Sequence, residues 1–240
     1  NTPDGTASGG IARGEYAVDL QMDRSTNTQV ASGNYAIISG GLRNTASNFA
    51  ATVGGGRDNT ASGGDATVSG GRNNTSGGDY ASIGGGRDND ASGIHATIGG
   101  GTINAASSDN ATVGGGRNNT ASSFAATVGG GLRNVANAAE STVGGGRDNT
   151  VSGNWAVVGG GDNNTASGDD ATVPGGQNNR ALSWAETVVG AFNDNGGYTP
   201  NSTTAFDATD RIFVVGNGQA GPGNRSNALV ILKNGNTGIG

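Results

Sequence analysis

Hydrophobic and polar positions along the chain follow a fifteen-residue beat. The unit opens at positions 36, 51, 66, 81, 96, 111, 126, 141, 156, 171 and 186, and clean copies read ATVGGGRDNTASGGD from Ala51 and ATVGGGRNNTASSFA from Ala111. With the opening residue as column 0, column +2 is Val or Ile in every copy: Ile38, Val53, Val68, Ile83, Ile98, Val113, Val128, Val143, Val158, Val173 and Val188. Column 0 is nearly always Ala, and column +1 is mostly Thr. Branched residues favour strands, and strand side chains alternate between faces. Columns 0 and +2 therefore predict an inward face, with column +1 pointing the other way. Unbroken spacing over eleven copies predicts a stack in which each copy is one rung.

The rest of the unit predicts turns. Columns +3 to +5 are mainly Gly, as at 54–56, 84–86 and 114–116, and suit turning or close backbone approach. A nucleotide-binding glycine loop needs a strand–loop–helix setting and occurs once, whereas these glycines recur in nearly every rung. Column +8 is Asn in ten copies, including Asn59, Asn74, Asn89 and Asn119, with Asp194 in the last. Stacked amides there would bond from rung to rung and hold the turns in register; ligand binding by Asn is the alternative. Columns +10 to +12 often read Ala-Ser-Gly, as at 61–63 and 166–168, and predict a second extended side. Phe49, Phe124 and Trp184, in column −2, have core parity and are expected to fill or cap the core.

Composition explains why the stack would need help. Hydrophobic residues make up 32% of the 240 and Gly supplies 49, so one chain buries little apolar area against its backbone entropy. A disordered chain would scatter its hydrophobic residues, and here they recur in register. Subunit association is the expected second source of burial. The net charge of −6 disfavours nucleic acid. The absence of Cys excludes disulfides and Cys-based metal sites. No apolar run reaches membrane-spanning length, and no signal peptide is visible. The chain opens on Asn1, and is read as a processed product or an excised piece.

The repeat resembles the head units of YadA-like trimeric autotransporter adhesins. Ala51-Thr52-Val53-Gly54 and Ala61-Ser62-Gly63, with their register copies over roughly 31–195, carry that resemblance. It implies an all-β, left-handed parallel β-roll of about eleven rungs, homotrimeric, with three inner faces sharing a core. The heavier glycine run and the nearly invariant Asn depart from the adhesin pattern. A second resemblance lies in RIFVVG at 211–216, NALVILK at 227–233 and NGNTGIG at 234–240. It is to a segment of phage tail-fibre proteins that precedes an intramolecular chaperone domain. Asn234-Gly235 suits a tight turn. Three regions follow: an irregular lead-in at 1–30, the repeat head at 31–195, and a β-rich segment at 196–240.

Candidate chemistry is sparse. His95 is the one His of the sequence and lies in column −1, which also holds Tyr35, Tyr80 and Trp155; it is read as exposed or at a corner, and a lone His poorly supports a metal site. Column +6 carries Arg57, Arg72, Arg87, Arg117 and Arg147, with Asp58, Asp88 and Asp148 following three of them. Guanidinium forks could take anionic glycans or lipopolysaccharide phosphate; otherwise each Arg pairs with its neighbouring Asp in a solvated turn. Asp65, Asp79, Asp109, Glu140, Asp169, Asp170 and Glu186 read as turn residues, with no pair set as acid and base and no calcium-loop spacing. Tyr16, Trp155 and Tyr198 are candidate sugar platforms. Asn-x-Ser/Thr triplets follow from the repeat itself. No enzyme and no cofactor is expected. The function expected is a noncatalytic, extracellular fibre, on a cell surface or virion, that attaches to a glycan or protein receptor by multivalent contact. The alternatives are a self-assembling filament and an ice-binding solenoid; the latter would call for a paired Thr array, and here the Thr file is single.

Overall fold

The computed structural model describes residues 13–26, 28–193, 197–221 and 224–240. It divides into two compact units, Asn1–Asn118 and Asn119–Gly240. Both are parallel β-solenoids, and among the described residues no helix forms.

In the first unit, two-residue strands at columns +1 and +2 stack in one parallel sheet. Thr52–Val53 pairs with Thr67–Val68, and Ser82–Ile83 with Thr97–Ile98. Columns +9 and +10 stack in a second sheet through Thr45–Ala46, Thr60–Ala61, Thr75–Ser76, Asp90–Ala91 and Ala105–Ala106. A third line of parallel bridges joins Leu42, Arg57, Arg72, Arg87, Thr102 and Arg117 at column +6. Each turn of chain thus touches its neighbours along three lines, where the sequence suggested two. The ladder also starts inside the expected lead-in: Val18–Asp19 pairs in parallel with Ile37–Ile38, nineteen residues on.

The second unit repeats this plan from Thr120–Ala121 and Thr127–Val128 to Arg180–Ala181 and Thr187–Ala191. Arg211–Asn217 then adds in parallel to Thr187–Ala191, followed by antiparallel Asn227–Leu232 and Thr237–Ile239. The expected tight turn lies between the last two, with Gly235 at φ +86°.

Small residues build the core. Ala51, Val53, Ala61, Ala66 and Val68 have no exposure, and Ile38, Ile83 and Ile98 are the largest apolar side chains fully buried. The inward face read from columns 0 and +2 is therefore present, and column +10 joins it.

Two local corrections have physical causes. Phe49 and Phe124 are 54% and 52% exposed, and Trp184 is half-buried with its indole N–H on Asp170, so column −2 does not fill the core. Residues 48–51 form a four-residue turn closed by Ala51 N–H to Asn48 C=O (3.2 Å), with Ala50 at φ +49°. Period-two alternation holds within a strand and ends at such a turn. The last rung is also one residue short. Gln177 bridges to Ala191 and Asn179 Nδ2 donates to Gly190 C=O, so Asn193, not Asp194, continues the Asn column. Asp194 lies outside the described residues.

Candidate functional site

The Asn column sits in the core. Asn59, Asn74, Asn89 and Asn119 are at most 1% exposed, and each amide oxygen accepts from the Asn N–H of the next rung. Asn89 shows the pattern. Its Nδ2 donates to the carbonyls of Gly85 (2.9 Å) and Gly101 (3.1 Å), and its Oδ1 accepts from the N–H of Asn104 (3.0 Å). One amide thus satisfies three backbone groups that a buried turn would otherwise leave unpaired. The same geometry explains column +5. Gly56 has φ +82°, and a Cβ there would collide with the Gly71 carbonyl and crowd Asn59 Nδ2 at 2.7 Å.

Each end of the repeat carries a buried carboxylate. Asp19 stands in the Val/Ile column, 1% exposed, and takes Arg24 Nη2 at 2.8 Å. Beside it Gln21 replaces the Asn amide: its Oε1 accepts from Asn44 N–H at 2.8 Å. In the second unit Glu186 occupies column 0 and is fully buried, not a turn residue. Its Oε2 accepts from the N–H groups of Leu182 (2.7 Å) and Ser183 (3.0 Å). Burial pushes its carboxyl up from the ordinary range, against the hydrogen bonds and the Arg211 charge that pull it down. Asp210 accepts from Tyr198 O–H (3.0 Å) and from the N–H groups of Asn201 and Ser202. Arg211 lies 4.0 Å over the Tyr198 ring. Tyr198 is thereby a buttress of the C-terminal fold, with one ring face already covered. Glu186 was legible as the one acidic residue in an Ala column; its burial was not inferred.

The outward candidates fall into two lines. Column −1 takes left-handed φ in every rung, from Ala50 at +49° to Tyr35 at +62°, so its side chain leaves the chain at a corner. Tyr35, Tyr80 and Trp155 are 50%, 57% and 54% exposed, and His95 is exposed. Neighbouring rungs let these rings stack: Tyr16 on Tyr35 at 5.2 Å, Tyr35 against Phe49 at 5.5 Å, and Tyr80 on His95 at 4.8 Å. Rings stacked on one another offer edges outward rather than free faces, which weakens the sugar-platform reading for Tyr16.

Column +6 places Arg57, Arg72, Arg87, Arg117 and Arg147 on the surface. The strongest ion pairs run between rungs rather than to the next residue. Arg43 grips Asp58 through two bonds (2.8 and 2.9 Å), Arg133 grips Asp148 (2.6 and 2.6 Å), and Arg147 grips Asp162 (2.8 and 2.9 Å). Each hydrogen-bonded guanidinium holds its carboxylate below the usual range. Contacts to the adjacent residue are longer, 3.6 Å for Arg57–Asp58 and 3.7 Å for Arg147–Asp148. In the first unit Arg43, Arg57, Asp58, Arg72, Asn73 and Asp88 line an open cleft of about 330 Å³. Among the described residues no group of three or more His, Asp or Glu is placed to hold a metal ion.

No protein-family model and no curated protein matches the chain.

Proposed function

We propose that the chain is a noncatalytic, extracellular attachment protein, a bacterial surface adhesin or phage tail fibre, that works as a homotrimer of left-handed parallel β-rolls. The observation that supports association most directly is a line of bare backbone. Column +4 is Gly in ten consecutive units, Gly40 to Gly175. At Gly145 and Gly160 the backbone lies outside the left-handed region, and a Cβ would meet nothing within 4 Å. Gly40, Gly55, Gly85, Gly100, Gly115 and Gly130 hold φ of +150° to +159°, where the backbone itself favours Gly, but at Gly145 and Gly160 the chain's own packing does not require it. A copy of the chain pressed against that line does, because side chains would hold two backbones apart. The core of Ala and Val supports the same reading, since it leaves a chain short of apolar burial on its own.

Attachment would be multivalent. The exposed rings of column −1 and the arginines of column +6 recur up the stack and around three chains, so weak contacts gain strength through effective concentration. The receptor class is a cell-surface glycan or protein. Light scattering on the whole chain tests the assembly: the expected mass is three times 23.2 kDa, and a single-chain mass refutes it. Gly145→Glu with Gly160→Glu should reduce the mass to one chain while the far-ultraviolet spectrum stays unchanged. Binding to whole cells or a glycan array tests attachment, and failure on both would favour a filament that binds only itself.

A further inference from the structure

We propose that the second unit carries a binding pocket for an acidic sugar, a hydroxylated ring bearing one oxyanion, formed by Arg180, Arg225, Asn163, Asn178 and Thr165. The proposal rests on the attachment reading for what the pocket is used for, and the pocket itself is tested apart from it.

These five residues line a cavity of about 240 Å³. It lies where the repeat meets the unrepeated segment. Asn163 and Asn178 are column +7 neighbours on successive rungs, and Thr165 and Arg180 are column +9 neighbours. Column +9 elsewhere holds Thr, Asp, Ala or Val, so Arg180 departs from its own column. Arg225 comes from the segment between the strands Arg211–Asn217 and Asn227–Leu232.

Both arginines are held in place by the shortened last rung. Asn193 clamps the Arg180 backbone: its Oδ1 accepts from Arg180 N–H at 2.8 Å, and its Nδ2 donates to Arg180 C=O at 3.1 Å. Arg225 Nη1 donates to the carbonyls of Asn178 (3.0 Å) and Asn193 (3.3 Å), and its guanidinium lies 6.0 Å from the Phe192 ring. A guanidinium fixed through one nitrogen keeps its other donors for a ligand.

The charge is anomalous for this chain. Overall it carries 19 Asp and Glu against 13 Lys and Arg. Among the described residues no carboxylate lines this pocket, and none of the ion pairs involves Arg180 or Arg225. The column +6 cleft differs, because Asp58 and Asp88 line it among the arginines. Two guanidiniums sharing one pocket repel until an oxyanion sits between them, and their forks match carboxylate, sulfate or phosphate oxygens. The remaining lining selects for more than a bare ion. Two carboxamides and a hydroxyl donate and accept, which suits sugar hydroxyls. Asn163 Nδ2 already donates to Asn178 Oδ1 at 2.6 Å, so the pair presents a fixed edge.

Calorimetric titration of the whole chain with glucuronate, glucose and inorganic phosphate tests the site. Glucuronate should bind, glucose should show no heat, and phosphate should bind several-fold more weakly than glucuronate. Arg180→Thr restores the residue type common in its column, so the variant should keep the wild-type melting midpoint and lose about tenfold or more in glucuronate affinity. Arg225→Lys, which keeps the charge and removes the fork, should also weaken glucuronate. Glucose binding like glucuronate, or Arg180→Thr binding like wild type, overturns the pocket. Phosphate binding as tightly as glucuronate overturns its assignment to a sugar. Cell adhesion without glucuronate binding removes this site and leaves the attachment reading. Glucuronate binding without adhesion to any cell or glycan surface does the reverse.

Discussion

Replacing Asn89 by Ala isolates what the buried amide column does. The substitution deletes three hydrogen bonds, to Gly85 C=O, Gly101 C=O and Asn104 N–H, all between 2.9 and 3.1 Å. The bond from Asn89 N–H to Asn74 Oδ1 survives, because Ala keeps its own N–H. Each lost bond is worth about 0.5–1.5 kcal/mol net, and an orphaned buried donor costs more than a solvated one. The expected loss is therefore about 2–4 kcal/mol. Thr97→Ala, on the exposed side of a neighbouring strand, serves as the control and should stay within about 0.5 kcal/mol. The assay is urea unfolding followed by circular dichroism, with slopes compared so that only midpoint shifts count. Asn89→Asp adds a second axis. A buried carboxyl has a raised folded pKa, so the variant should be most stable at acid pH and weaken as pH rises through that value. If Asn89→Ala unfolds within about 0.5 kcal/mol of wild type, the column is a by-product of close packing and the reasoning fails.

Other outcomes follow from neighbouring features. Glu186 has a folded pKa raised by burial, so its contribution is fully present below the ordinary glutamate value and is lost as pH climbs to the raised one. Glu186→Gln should flatten that stretch of the stability–pH profile and raise the midpoint at neutral pH; an unchanged profile would show the carboxyl is not coupled to folding. Ile103 holds φ +57° with a branched side chain, at a column where Asn73 and Asn118 hold the same conformation. Ile103→Asn should gain about 1 kcal/mol in urea, and a lower midpoint would mean the Ile packing outweighs the strain. Gly56→Ala should cost about 2 kcal/mol or more, since Ala must hold a left-handed φ and also displace the Gly71 carbonyl. A neutral result by the same unfolding assay would mean the turn relaxes freely.

How much was readable depended on where the chain is extended. Within strands, alternation placed Ala51 and Val53 inside and Thr52 outside, as the structure has them. At turns the rule has no force, so Phe49 was placed inside although it lies at a corner. The Asn column was visible from its recurrence, but its depth was not. Asn reads as a turn residue, and only the fold reveals that the amide points inward to feed three backbone groups. The lost residue in the final rung was hidden by coincidence: Gly190 and Asn193 fit a fourteen-residue spacing as well as 186–194 fits the repeat. Pairs such as Arg43 with Asp58 become visible only when residues fifteen apart are aligned, because adjacency along the chain suggested a different partner. The pocket around Arg180 needed Arg225, which comes from outside the repeat, and no periodic reading could join the two.

The plugs at Asp19 and Glu186 bear on a hazard peculiar to identical rungs. Where every turn offers the same strands and the same Asn, a chain can skip one whole turn, loop out fifteen residues, and recover almost every bond. Such misthreaded forms would be nearly degenerate with the native one across the interior. Asp19 with Arg24 and Gln21 fits the first rung alone, and Glu186 with Ser183 fits the last. Each non-repeating end therefore fixes the register of its own rung, while the identical rungs leave the number of turns undetermined.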